Sequence, residues 1–193
     1  MSIKLGITGG IGSGKSVVSH LLAMMGVPMY IADVESKRLT LEDPLIRNSL
    51  ISLLGSDLYR NGVLNKALLA SYIFDHPNNM NVVNGIIHPR IKDDFSQWVY
   101  RHAAFQVLGM EAAILIESGF SQDVDKIVLV YAPLDIRLRR TMLRDSASDE
   151  QVMKRIKSQM NDEEKMDIAD FIIYNDGEIP LIPQVMSLIN SLG

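Results

Sequence analysis

Gly9, Gly14, Lys15 and Ser16 stand at the spacing Gly-x-x-x-x-Gly-Lys-Ser, within the run Gly9-Gly10-Ile11-Gly12-Ser13-Gly14-Lys15-Ser16. These residue types at this spacing suit one task, the holding of phosphate. Glycines let backbone amides approach an anion closely. Those amides, with the positive end of the helix that follows, form an anion site. Lys15 is a mobile point charge suited to β- and γ-phosphate oxygens, and Ser16 supplies a hydroxyl to Mg²⁺. Four other features have chemical potential. Asp33 closes a short apolar run, where it is placed either to face a transferred phosphate or to cap a helix beginning at Val34. Glu111 lies within an apolar run, an uncommon place for a carboxylate unless it is paired or near a metal. It is read either as a Walker-B-like group that holds Mg²⁺ directly or through water, or as the partner of a basic residue; Glu117 is a further candidate. Arg137, Arg140 and Arg144 recur at offsets of three and four and share one helix face. Guanidinium forks there suit phosphate oxygens, although such a face can also be simply solvated. His88 precedes Pro89 and reads as a hydrogen-bonded structural residue, with no metal-ligand spacing around it or around His20, His76 or His102.

The elements that must position these residues follow from periodicity. Ile3 to Thr8 read as a buried strand and Val17 to Met25 as a helix, with Val17, Val18, Leu21, Leu22 and Met25 on its inner face and Gly26 as its stop. Val27 to Ala32 give a second strand, so the chain opens with a βαβ unit and a parallel sheet. Such sheets gather ligands beyond the carboxyl ends of their strands, where the Gly-rich loop and Asp33 both fall. Asp33 to Thr40 look helical, and Asp43-Pro44 starts another helix with Asp as cap and Pro at the first position. Asn61-Gly62 is a turn. Helices are expected at Leu64–Phe74 and Asn78–Ile87, with a break at His88-Pro89 and a further helix from Pro89 to about Phe105. The block 43–105 exceeds a plain crossover and is read as a lobe over a substrate, or as added core. Strands follow within 107–116 and at 126–131. A helix over 133–145 is expected to bury Leu134, Leu138 and Met142, and a polar helix covers 149–160. Together they make a basic helix–loop–helix, read as a lid that excludes water from phosphoryl transfer. Phe171–Tyr174 is the last strand, Asn175-Asp176-Gly177 a turn at its carboxyl end, and Ile179–Leu192 an amphipathic helix over the sheet.

The whole chain bounds these readings. Its 193 residues suffice for one domain with a sizeable core. A composition 47% hydrophobic and 22% charged is ordinary for a globular protein. A net charge of −4 argues against a broad nucleic-acid or membrane surface. The absence of cysteine excludes disulfides, thiolate metal sites and cysteine nucleophiles. No signal peptide or membrane span is visible, and a cytoplasmic enzyme is expected. A GTPase switch would want Asp-x-x-Gly and Asn-Lys-x-Asp, and neither occurs. The expected fold is α/β: a three-layer P-loop NTPase with a five-stranded, mostly parallel sheet, a helical substrate lobe at 43–105 and a lid at 137–165, all in one domain, 1–193.

Over nearly its whole length the chain also resembles the dephospho-coenzyme A kinase family. The run Leu5 to Ser16, Ala32-Asp33, Ile87-His88-Pro89, the stretch Glu111 to Glu117, Arg140 with Arg144-Asp145, Arg155-Ile156 with Gln159, and Ala169-Asp170 followed by Asn175 carry the likeness as an ordered set. The resemblance implies transfer of the ATP γ-phosphoryl group to the ribose 3′-hydroxyl of dephospho-coenzyme A. It assigns catalysis to Asp33, Lys15 and Arg140. Nucleotide binding falls to Gly9, Gly10, Ile11, Gly12, Ser13, Gly14, Lys15, Ser16, Arg140, Arg144 and Asn175, the last against adenine. Thr8, Asp33 and His88 go to the acceptor, Ser16 and Glu111 to Mg²⁺, and block 43–105 to the pantetheine arm. ATP and Mg²⁺ are the implied cofactors, with no nucleic-acid or membrane partner and a monomer favoured. The chain departs from the family pattern at Ala113, where Pro is common, at Arg137, where Gln is frequent, and at Lys37 and Lys66, where Arg is frequent. A Lys cannot reproduce a bidentate guanidinium contact.

Overall fold

The computed structural model describes residues 2–76 and 78–192. It divides into two compact units, one comprising the chain up to Ile31 and from Val99 onward, the other Ala32–Trp98.

The first unit opens with β1 (Ile3–Thr8), α1 (Lys15–Met24) and β2 (Met29–Ile31). The run of β1 is buried on both faces from Leu5 to Thr8, as a central parallel strand requires. α1 buries Val18, Ser19 and Leu22, a narrower stripe than its apolar pattern suggests, and Val17 is exposed. Gly26, at φ 89°, ends the turn that follows it.

The second unit is a continuous insertion holding α2 (Ala32–Glu42), α3 (Pro44–Leu54), the two-residue strands β3 (Tyr59–Arg60) and β4 (Val63–Leu64), α4 (Lys66–Asp75) and most of α5 (Asn79–Arg101). Asp43 caps α3 as its sequence announces: Oδ1 accepts from the amides of Leu45 at 2.8 Å and Ile46 at 3.0 Å, with Pro44 next. Oδ2 accepts from Arg90 Nε at 3.0 Å and Nη2 at 2.9 Å, which ties α3 to α5. Burial opposes the charge on Asp43, but the Ile46 amide and Arg90 outweigh it and hold the carboxyl below the usual carboxylate range. Arg38 joins α2 to α5 through a two-pronged contact with Asp94, 2.9 Å in each arm, and also bonds Glu35 at 2.6 Å. Phe95 stacks on Trp98 with ring centroids 6.0 Å apart, so Trp98 has a packing partner. The Asn61-Gly62 turn closes the β3–β4 hairpin with both residues at positive φ, which its right-handed twist favours.

One expectation fails in this unit. The sequence places a helix break at His88-Pro89, yet α5 is continuous through it, with Pro89 inside. A buried stripe of Val83, Ile87, Ile91 and Phe95 spans the proline at helical spacing. Tertiary burial on both sides of Pro89 thus overrides the local penalty of its missing N–H.

The chain returns to the first unit for β5 (Val107–Glu111), β6 (Lys126–Tyr131), α6 (Leu134–Asp145), α7 (Asp149–Lys157), α8 (Asp162–Ile168), β7 (Phe171–Tyr174) and α9 (Leu181–Asn190). The strands form one sheet in the order β2-β5-β1-β6-β7, every pairing parallel. α1 and α9 cover one face, with Val18, Leu22, Val185 and Leu188 buried against Leu5, Ile7, Val128, Val130 and Ile173. α8 is the element the sequence reading omitted; it instead extended the preceding helix to Met160, which in fact stops at Lys157.

Candidate active site

β1 delivers the chain to the middle of the sheet's carboxyl edge, and there it turns sharply. Gly14, at φ 93°, precedes the first residue of α1, so Lys15 and Ser16 fall in the helix's opening turn, where unbonded amides and the helix dipole favour an anion. Gly12 has φ 80°, and a Cβ there would collide with the Arg137 carbonyl and lie 2.5 Å from Thr141 Oγ1. Only glycine satisfies both the backbone and the space. Lys15 donates from Nζ to the Gly9 carbonyl at 2.9 Å and the Gly10 carbonyl at 3.4 Å, folded over its own loop. The Ser16 side chain is exposed at the same helix start.

The neighbouring strand tips lie level with this loop. Ile7 of β1 is paired with Glu111 of β5, and Glu111 with Ile31 of β2, while Thr8 is paired with Leu129 of β6. Glu111 is half-buried, not buried as its apolar flanks suggest, because it stands at the strand's open end. Thr8 is buried, and its hydroxyl reaches toward the Ala113 carbonyl at 3.5 Å. Beyond β7, Asn175 takes a bracing position: its backbone amide donates to Tyr131 O at 2.7 Å, its side chain donates to Ser13 O at 2.7 Å, and its carbonyl accepts from Arg140 Nη1 at 3.0 Å. Asn175 and Arg140 are thus brought together at the Gly-rich loop.

α6 is oriented differently from expectation. The sequence assigns its inner face to Leu134, Leu138 and Met142, but Arg137 and Thr141 are the buried residues and Leu134 is exposed. The reason lies in tertiary partners. The Arg137 guanidinium pairs with Asp162 of α8 at 2.8 Å, and Thr141 Oγ1 donates to Arg137 O at 2.8 Å. These partners let both side chains be buried against the loop backbone, although Arg137 Nε itself meets no acceptor among the described residues. Arg144 is committed elsewhere: Nε and Nη2 donate to Asp145 at 2.7 and 3.1 Å, and Arg155 donates to the same carboxylate at 2.6 Å. Arg144 first and then Arg155 hold the Asp145 carboxyl far below its usual range. Glu117 proves structural, pairing at 3.1 Å with the fully buried Lys165 and accepting the Met160 amide at 3.1 Å.

Asp33 belongs to the other unit, in the first turn of α2. α2 starts at Ala32, directly from β2, so Asp33 is not the cap of a helix beginning at Val34. His88 is in the same unit, half-buried; burial first, and Lys92 second, push its pKa below the ordinary histidine value. The residues that sequence reasoning missed are Asp162 and Thr141. For Asp162 a signal existed, since Asn161 followed by Asp162, Glu163 and Glu164 is a helix start, and Asn161 Oδ1 does accept the Glu164 amide at 2.7 Å.

No group of three or more His, Cys, Asp or Glu among the described residues forms a metal cluster. A Mg²⁺ ion carried with a nucleotide would need only one or two protein oxygens and would take the rest from phosphates and water. The Ser16 hydroxyl and the Glu111 carboxylate are of the right chemistry.

A family model described as dephospho-CoA kinase matches residues 3–180. The chain belongs to the dephospho-CoA kinase family. The dephospho-CoA kinase of Bacteroides fragilis is 58% identical over 189 residues, covering 98% of this chain and 92% of that relative. A crystal structure of a Thermus thermophilus protein superposes with a TM-score of 0.86 at 28% identity, over 98% and 97% of the two chains. The dephospho-CoA kinase from Campylobacter jejuni shares the fold, with a TM-score of 0.74 at 23% identity over 100% of this chain and 98% of that one.

Proposed function

We propose that the chain transfers the γ-phosphoryl group of ATP to the 3′-hydroxyl of dephospho-coenzyme A, the last step of coenzyme A biosynthesis. The observation that carries this reading is the likeness, along nearly the full chain, to a relative of that name. The anion cradle at the tip of β1 supplies the donor half of the chemistry.

In this reading the triphosphate enters the loop amides and takes Lys15 over from the Gly9 and Gly10 carbonyls. Gly9 to Ser16 hold the phosphates. Arg140, fixed by the Asn175 carbonyl, neutralises charge developing on the transferred group, with Arg144 following if it leaves Asp145. Asn175 adds an edge toward adenine. Asp33 orients the 3′-hydroxyl and takes its proton as the oxygen attacks, a contribution of about 10²–10⁴-fold. Its position in the chain, two residues after β2 ends at Ile31, supports that role. Thr8 and His88 contact the acceptor; a neutral His88 does so without adding charge. Ser16 and Glu111 would hold Mg²⁺, which when bound would supply positive charge to the phosphates. The block 43–105 covers the pantetheine arm and the segment 137–165 closes as a lid against water. The enzyme acts in the cytoplasm as a monomer; no described helix is long and apolar enough to cross a membrane.

ADP release measured with dephospho-coenzyme A, adenosine monophosphate and shikimate as alternative acceptors tests the proposal. Turnover should need dephospho-coenzyme A. Stimulation by one of the other two alone would overturn it.

A further inference from the structure

The crest of the Gly-rich loop is gripped from outside by residues of the segment 137–165 to which the reading above gives no individual role. Arg137 reaches in from α6 with its side chain 7% exposed, and Asp162, 14% exposed, meets it at 2.8 Å. The guanidinium fills the space that a Cβ on Gly10 would need, so any side chain at the loop's second glycine would have to displace Arg137. One residue further, the Ile11 amide donates to Gln159 Oε1 at 2.9 Å, just ahead of α8. Gly10, Ile11 and Gly12 therefore rest against one contiguous set: Gln159 and Asp162 at the start of α8, and Arg137 with Thr141 on α6.

Charge decides what Arg137 is for. A guanidinium neutralised at contact distance by a carboxylate offers little net charge to a phosphate. Burying both ions is costly, and such a pair is seldom the most stable filling of a site. It does fix geometry, because a planar fork tolerates few orientations.

We infer that Arg137 and Asp162 are positioning residues for nucleotide binding, a buried clamp that sets the height of the Gly10–Gly12 crest. The inference rests on the reading of that loop as the ATP site. Asp162→Asn should raise the KM for ATP about tenfold, with the acceptor KM changed less than about twofold. The double variant Arg137→Gln/Asp162→Asn removes both charges, so its Tm should recover toward wild type while its ATP KM stays raised. Recovery of Tm and ATP KM together would mean a merely structural pair and overturn the inference. Gly10→Ala tests the same contact without changing a charge, should either variant fail to fold. It should raise the ATP KM as the guanidinium is displaced, and an unchanged KM would equally overturn the clamp. Direct ATP titration of the wild type separates the two levels: no binding there defeats the assignment of the loop, whereas binding with unaffected variants defeats the clamp alone.

Discussion

Lys15 and Asp33 divide the proposed reaction between a cation that follows the phosphates and an anion that takes a proton. Lys15→Ala should lower kcat/KM for ATP by about 10²–10³-fold, the scale set by losing one charge-stabilising donor; steady-state kinetics with unchanged values would remove it from the site. Asp33→Asn keeps shape and loses basicity. It should cost about 10²–10⁴ in kcat while the ATP KM stays within a few-fold, and near-normal turnover would exclude it as the base. At this scale the Gly-rich loop was fully legible, because glycine, lysine and serine at fixed spacing dictate a backbone shape and not just a composition. Arg137 was not. A sequence places an arginine on a solvent face by default, and what buries this one is a carboxylate 25 positions further on, found only in three dimensions.

Elements were legible where one period ruled them. α9 was expected as an amphipathic helix over the sheet, and it does bury Val185 and Leu188 there. Leu188→Ala should lower stability by about 2–5 kcal/mol in urea denaturation, through lost burial and an unfilled cavity. Because Leu188 lies in the core cluster with Val18 and Leu22, kcat at 25 °C should remain within about twofold; a large loss of turnover without destabilisation would contradict its purely covering role. The misreadings have physical causes of the same kind. Pro89 punctuates a sequence, but the packing of α5 ignores it. α8 carries only Met166 and Ile168 as apolar residues and buries a lysine, so periodicity had little to detect.

For the molecule as a whole, acid should be the informative stress. Besides Asp43 and Asp145, Asp170 is held below the usual carboxylate range by Lys126, and Asp176 by the amides of Ile179 and Glu178. The unfolded chain binds protons at these groups more readily, so their contribution is complete above their ordinary pKa, about 4, and is lost as pH falls through the lower folded values. His88 acts earlier. Its folded pKa lies below its unfolded value, so stability should ease from about pH 6.5 downward. Urea midpoints against pH should therefore decline gently at first and steeply below about 4; His88→Gln should abolish the first phase and spare the second. A midpoint still level at pH 3 would contradict the carboxylate account.

The strand order carries a consequence for how the chain is made. β1 leaves the ribosome first, yet it is the middle strand, and the two that flank it begin at Val107 and Lys126. At bacterial-to-eukaryotic elongation rates of about 5–20 residues per second, its two open edges wait roughly 5–20 s for the first neighbour. Throughout that interval the nascent segment Ile3–Thr8 is a sticky apolar ribbon, and the inserted helices Ala32–Trp98 are all synthesised before it has anything to pair with. Translation speed and chaperone cover between the synthesis of β1 and that of β5 should thus govern the yield of folded protein.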